Sequence, residues 1–191
     1  MAFWGTSLDS GVRDPKRKFR FKVEFQQLGG GNVLWYAKGV GKPSMTISAD
    51  TTHKFLGHSF KFPGSVSWED IELTLVDPAE EGEGGEDAAV KLLSIIEASG
   101  YKFPRGSEIL ETISKGKAVE ALEKVVIHQL DASGQNTVER WELHNPFINK
   151  VSFGDLSYED DGLSEITVGV TFDWAEFSKG PSTGSQFFEQ S

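Results

Sequence analysis

Cysteine is absent from all 191 residues, and methionine occurs only twice. Without a thiol there is no disulfide framework, no thiolate zinc site, no iron–sulfur cluster and no cysteine nucleophile. Long apolar runs are missing too. No stretch approaches the roughly 18 consecutive apolar residues that a membrane-spanning helix needs. The opening residues, Met1-Ala-Phe-Trp-Gly-Thr-Ser-Leu8, carry neither a basic region nor an apolar core, so they do not read as a secretory signal. What the chain has in excess is acid: 29 Asp and Glu against 19 Lys and Arg, a formal net charge of −10. The excess is uneven. Residues 1 to 22 hold six bases (Arg13, Lys16, Arg17, Lys18, Arg20 and Lys22) against Asp9 and Asp14, a balance of +4, and the other 169 residues balance at −14. An acidic body argues against a tight grip on nucleic acid, since phosphate binding needs a basic face to release counterions. A short basic segment suits either solvent or docking on the acidic surface of another copy. The length suits one domain able to bury about 70% of its unfolded surface.

The apolar pattern is that of strands. Residues 19 to 27 alternate strictly, with Phe19, Phe21, Val23 and Phe25 on one face and Arg20, Lys22, Glu24 and Gln26 on the other, which predicts a half-buried strand. A glycine turn at 28 to 32 leads to a second strand, 33 to 40, as its hairpin partner. Met45, Ile47, Ala49, Thr51 and His53 continue a period of two, and Phe60 and Phe62 resume it after Leu56-Gly57-His58. This long ribbon has too little apolar face to be held by its own domain, so it projects into solvent or packs on something else. Val66, Trp68, Ile71, Leu73 and Leu75 predict one strand whose apolar phase slips at Glu69-Asp70, the mark of a β-bulge. Ala89, Leu92, Leu93 and Ile96 recur at helical spacing behind Glu86 and Asp87, which predicts a helix at about 87 to 99, stopped by Ser99-Gly100. A shorter helix at 114 to 122 is weakened by Gly116.

Strands return at 124 to 130, 137 to 144, 148 to 153 and 163 to 174. In the last, Ile166, Val168, Val170, Phe172 and Trp174 share a face. About eight strands and one main helix predict a mainly β fold: a sandwich or barrel of two packed antiparallel sheets with a flanking helix and a long protruding hairpin. The domain spans 19 to 174, between an N-terminal arm of residues 1 to 18 and a polar tail of 175 to 191.

Motifs for chemistry fail on context. Gly180-Pro-Ser-Thr-Gly184 has nucleophile-elbow spacing, but no His follows it and there is no room for a helix. In Gly39-Val-Gly41-Lys42-Pro43-Ser44, Pro43 stands where a phosphate loop needs a hydroxyl. The four His residues show no metal-ligand spacing, and Asp160-Asp-Gly162 lacks the first and closing acids of a calcium loop.

Two runs resemble the tail tube proteins of contractile-tailed bacteriophages. The first is Phe62-Pro63-Gly64-Ser-Val66-Ser-Trp68-Glu69-Asp70-Ile71-Glu72-Leu73-Thr74-Leu75-Val76-Asp77-Pro78. The second is Asn145-Pro146-Phe147-Ile148, followed by Val151, Phe153, Gly154, Asp155, Leu156 and Tyr158. The order of elements between 19 and 174 is similar as well. The resemblance implies a structural protein of the virion, without cofactor, metal or catalytic residue, that forms hexameric rings stacked into the tube through which DNA is delivered. The implied partners are further copies of the chain, the sheath, the tape measure protein, and baseplate and tail terminator proteins, with double-stranded DNA passing through unbound. Within it, Pro63, Gly64, Trp68, Asp77, Pro78, Asn145, Pro146 and Gly154 are expected to hold the fold. Arg13, Lys16, Arg17 and Lys18 on the arm, and Met45, Ile47, His53 and Phe55 on the hairpin, are expected to touch neighbouring subunits. Asp50, Glu165 and Asp173 are candidates for a lumen whose negative charge keeps phosphates sliding. A chain without Cys fits assembly in a reducing host cytoplasm. Two other readings stay open: a tailocin or injection-system tube carrying protein, and a soluble β-sandwich binding module.

Overall fold

A computed structural model describes residues 16–27, 31–34, 37–49, 51–77, 88–104, 112–131, 133–159 and 161–180. Strand β1 (Phe21–Gln27) follows the alternation of its sequence: Val23 and Phe25 are buried, and Lys22 and Glu24 lie on the opposite face. Phe19 stays outside the strand, three-quarters exposed. β1 pairs antiparallel with β2 (Gly31–Leu34), so the expected hairpin forms. The run read as one strand from 33 to 40 divides, however. Its second half, β3 (Ala37–Val40), belongs to a different sheet, where it pairs with β8 (Ile71–Val76). Residues 28 to 30 and 35 to 36 lie outside the described residues.

A second run divides in the same way. β7 (Val66–Trp68) pairs with β4 (Met45–Ile47), whereas β8 enters the core with Ile71, Leu73 and Leu75 buried. The change of apolar parity at Glu69-Asp70 is therefore a break between two sheets and not a bulge within one. β5 (Thr51–Phe55) and β6 (His58–Phe62) extend the β4–β7 ribbon outward.

Helix α1 (Ala88–Ala98) buries Leu92 and Ile95, two positions three residues apart on one face. It stops as expected: Gly100 takes φ +107° and donates its N–H to the Glu97 carbonyl. Helix α2 (Lys115–Leu122) begins at Ser114, whose hydroxyl accepts from the Lys117 N–H at 3.3 Å, and buries Ala118, Ala121 and Leu122. Then follow β9 (Lys124–Leu130), β10 (Thr137–His144), β11 (Phe147–Ser152), β12 (Glu165–Thr171) and β13 (Trp174–Lys179).

Two larger antiparallel sheets result, ordered β13-β10-β9-β1-β2 and β11-β12-β8-β3. The core joins their facing side chains, among them Phe25, Leu73, Leu75, Val125, Leu143, Ile166, Val168 and Val170, with Leu92 and Leu122 from the helices. The expected mainly β fold is the fold found, with a second short helix. The last strand differs from its expectation. It ends at Thr171, and Trp174 opens β13, an edge strand paired with β10. Trp174 is accordingly half exposed instead of sharing the buried face of β12, and the segment expected to be a polar tail from 175 begins inside a sheet.

Candidate assembly surface

The β4–β7 ribbon carries apolar residues that stay exposed among the described residues. In the outer part, Thr52 faces Lys61 and Lys54 faces Ser59 across the strands, while His53 faces Phe60 and Phe55 faces His58. Because side chains alternate, the first two pairs form a polar face and the last two share the other face with Phe62. His53 and Phe62 meet edge to face, with ring centroids 5.6 Å apart. Phe55, Phe60 and Phe62 each stay half exposed or more, and so do Met45, Ile47 and Val66 nearer the body. Only Trp68 at the base turns inward, its ring 6.0 Å from that of Phe172.

The tip is strained as well as apolar. Leu56 and Gly57 have φ of +47° and +79°, the signs of a two-residue type I′ turn. Glycine suits that conformation, but a leucine there costs on the order of 1–2 kcal/mol. Leu56 is also 82% exposed. The monomer gains nothing visible from it.

The expected site residues fall into several places. Arg13, Asp50 and Pro78 lie outside the described residues, together with residues 1–15, 79–87 and 181–191. Met45, Ile47, His53 and Phe55 all lie on the ribbon. Lys16 forms an ion pair with Glu139 of its own chain, and the Arg17 carbonyl accepts from Gln129 Nε2 at 3.2 Å. Lys22 likewise bonds Glu24. Lys16, the Arg17 backbone and Lys22 thus bond within their own subunit.

Both described lumen candidates have lysine partners. Glu165 is bonded by Lys38. Asp173 accepts from Lys115 Nζ at 2.7 and 2.9 Å and from Asn145 Nδ2 at 2.8 Å. The Lys115 bond, then the Asn145 bond, holds the Asp173 carboxyl below its ordinary pKa. These partners lie 127 and 58 residues away in the chain. No local pattern could have disclosed them.

The motif residues occupy turns and crossings. Gly64 donates its N–H to the Ser48 carbonyl at 2.6 Å, closing the ribbon beside Pro63. Asn145 takes φ +53° between β10 and β11, followed by buried Pro146. The Asp77 N–H bonds the Ser164 carbonyl, and its Oδ1 is buried without a partner among the described residues. Gly154, at φ +75°, lies against the start of β12.

The outward face of the five-stranded sheet is a ladder of charges. Lys124 and Arg140 both reach Glu142 at 2.6 Å, and Glu24 and Glu176 lie 3.2 Å from His128 and His144 respectively. Burial alone would raise Glu142; the Lys124 bond and the Arg140 charge outweigh it and keep its carboxyl low. Among the described residues no three His, Asp or Glu groups converge as metal ligands, and no helix is long and apolar enough to cross a membrane.

No family model matches the sequence, and no curated protein matches it. Solved structures do share its fold. A chain of the 6-fold symmetrised anti-feeding prophage baseplate is 14% identical with a TM-score of 0.61, over 89% of this chain and 99% of that one. A chain of the sheath-tube complex of the PVC extracellular contractile injection system is 16% identical with a TM-score of 0.57, over 92% and 99%. Hcp1 from E. coli EAEC 042 is 10% identical with a TM-score of 0.52, over 85% and 93%.

Proposed function

We propose that this chain is the structural subunit of the inner tube of a contractile tail, with six copies closing a ring and rings stacking into a hollow cylinder. The apolar ribbon carries this reading: a tip with Leu56 in a left-handed conformation and three phenylalanines bare to solvent is costly in a monomer and useful in a stack. The shared fold supports it, since the similar chains come from tube, sheath and baseplate assemblies, one of them 6-fold symmetrised. So do the edge strands β13 and β11, whose positions at the ends of their sheets allow pairing with neighbours. On this reading the ribbon and the basic arm contact adjacent subunits, the sheath surrounds the tube, and the assembled particle is a phage tail delivering DNA.

The net charge of −10 supports DNA as cargo, because a duct that bound phosphates would stall them. A second reading keeps the tube and changes the cargo to protein; the injection-system neighbours favour it. Electron microscopy of the purified chain tests the tube, with rings or hollow cylinders expected and a monomer at every concentration overturning it. Cargo is tested by isolating the assembled particles and asking whether nuclease-protected DNA or protein fills them.

A further inference from the structure

Among its described residues this acidic chain has a cleft of the opposite character. About 600 Å³ in volume, it lies where β3 and the residues after it face β1, β9 and β10, and its lining includes Lys16, Lys18, Lys38 and Lys42 but no carboxylate. The lysines are under-neutralised. Lys16 and Lys42 converge on a single buried acid, Glu139, from which Lys42 Nζ is 2.7 Å away. Lys38 is matched by Glu165, and Lys18 has no acidic partner among the described residues. Burial, then the charge of Lys16, pulls the Lys42 ammonium below its ordinary pKa. Trp141 also lines the cleft. A cleft whose lysines outnumber their acids offers a favourable place for an anionic segment.

The same sequence contains a segment of complementary charge. Residues 80 to 87 carry Glu80, Glu81, Glu83, Glu86 and Asp87 with no base, and the intervening Gly82, Gly84 and Gly85 let a backbone approach closely. Cleft and segment are different parts of one chain, so a contact between copies is head-to-tail, the kind that closes rings. We propose that the lysine-lined cleft of one copy receives the acidic segment 80 to 87 of a second copy. The inference rests on the self-assembling reading above. It adds a polar, salt-sensitive contact to the apolar ribbon.

A charge swap tests it. One variant carries Lys18→Glu with Lys38→Glu, and another carries Glu81→Lys with Glu83→Lys; neither alters Glu139 or the two lysines bonded to it. Thermal melting checks that both remain folded. Each variant alone is expected to need at least about tenfold more protein to assemble at low salt, and an equimolar mixture, in which every unlike pair is complementary, is expected to return close to wild type. Variants that assemble like wild type overturn the proposal. Rescue seen only when both swaps share one chain also overturns it, because the contact is then internal. A labelled peptide of residues 79 to 88 separates this idea from the tube reading. If wild type forms only short oligomers and no rings or tubes while the peptide binds at low salt and loses affinity for the cleft variant, the docking stands and the tube falls; a wild type monomeric at every concentration overturns both. If wild type assembles but the peptide does not bind and the swaps have no effect, the docking falls and the tube stands.

Discussion

A β-carbon on Gly154 would lie 2.6 Å from the carbonyl oxygen of Glu165, and Gly154 holds φ at +75°. The obstacle is backbone, so no side chain can swing aside to relieve it. Gly154→Ala combines this clash with the left-handed penalty and is expected to lower unfolding stability by about 2–3 kcal/mol. Urea denaturation measures it; a loss under about 0.5 kcal/mol, the range of a neutral surface change, would mean that the loop relaxes freely.

At the ribbon tip, stability and assembly should move in opposite directions. Asn-Gly is the favoured type I′ pair, so Leu56→Asn should leave the monomer unchanged or stabilise it by up to about 1 kcal/mol. The same change removes the apolar tip, and tube formation should drop sharply. Loss of folding stability with intact tubes would contradict the role given to Leu56. Ile47→Asp, at an exposed ribbon position, should likewise keep monomer stability within about 0.5 kcal/mol while blocking assembly, as light scattering can follow.

His128 is buried, 3.2 Å from Glu24 and 3.3 Å from the Thr137 hydroxyl. Burial lowers its pKa, and the Glu24 charge only partly opposes this. A folded-state pKa below the unfolded value of 6.5 means that this contribution to stability is present above 6.5 and is lost as pH falls toward the folded value. Melting temperature should therefore decline between pH 7 and 5, ahead of the loss from Glu24 and Glu142, whose lowered values act below about 4.5. His128→Gln should flatten the upper part of that decline. An identical slope in the variant would remove His128 as the cause.

The lack of cysteine makes single-thiol mapping clean. Phe55→Cys should react rapidly in the monomer and become protected in assembled tubes. Asp173→Cys, if the residue faces the lumen, should react with a small maleimide and resist one on a bulky carrier. Equal reaction with both would place Asp173 on the outside.

Much of the fold was legible before any coordinates. Val23 and Phe25, or Ile166, Val168 and Val170, follow a period of two because strands with one buried face impose it, and α1 declared itself through Leu92 and Gly100. The misreadings occurred where one apolar run passes from sheet to sheet. Residues 33 to 40 and 66 to 75 look continuous because β-propensity is local, whereas the choice of partner strand is not.

Composition and periodicity thus determined a cysteine-free, acidic, mainly β chain with an under-packed hairpin, since each of these depends on neighbours in sequence. Tertiary structure alone decided that Lys38 and Lys115 pair with Glu165 and Asp173, two of the three acids expected in a lumen, that Lys16 and Lys42 share Glu139, and that a lysine-lined cleft exists in a chain of net charge −10. Charge pairing acts through space over a few ångströms, and residues more than fifty positions apart become neighbours only when the sheets close.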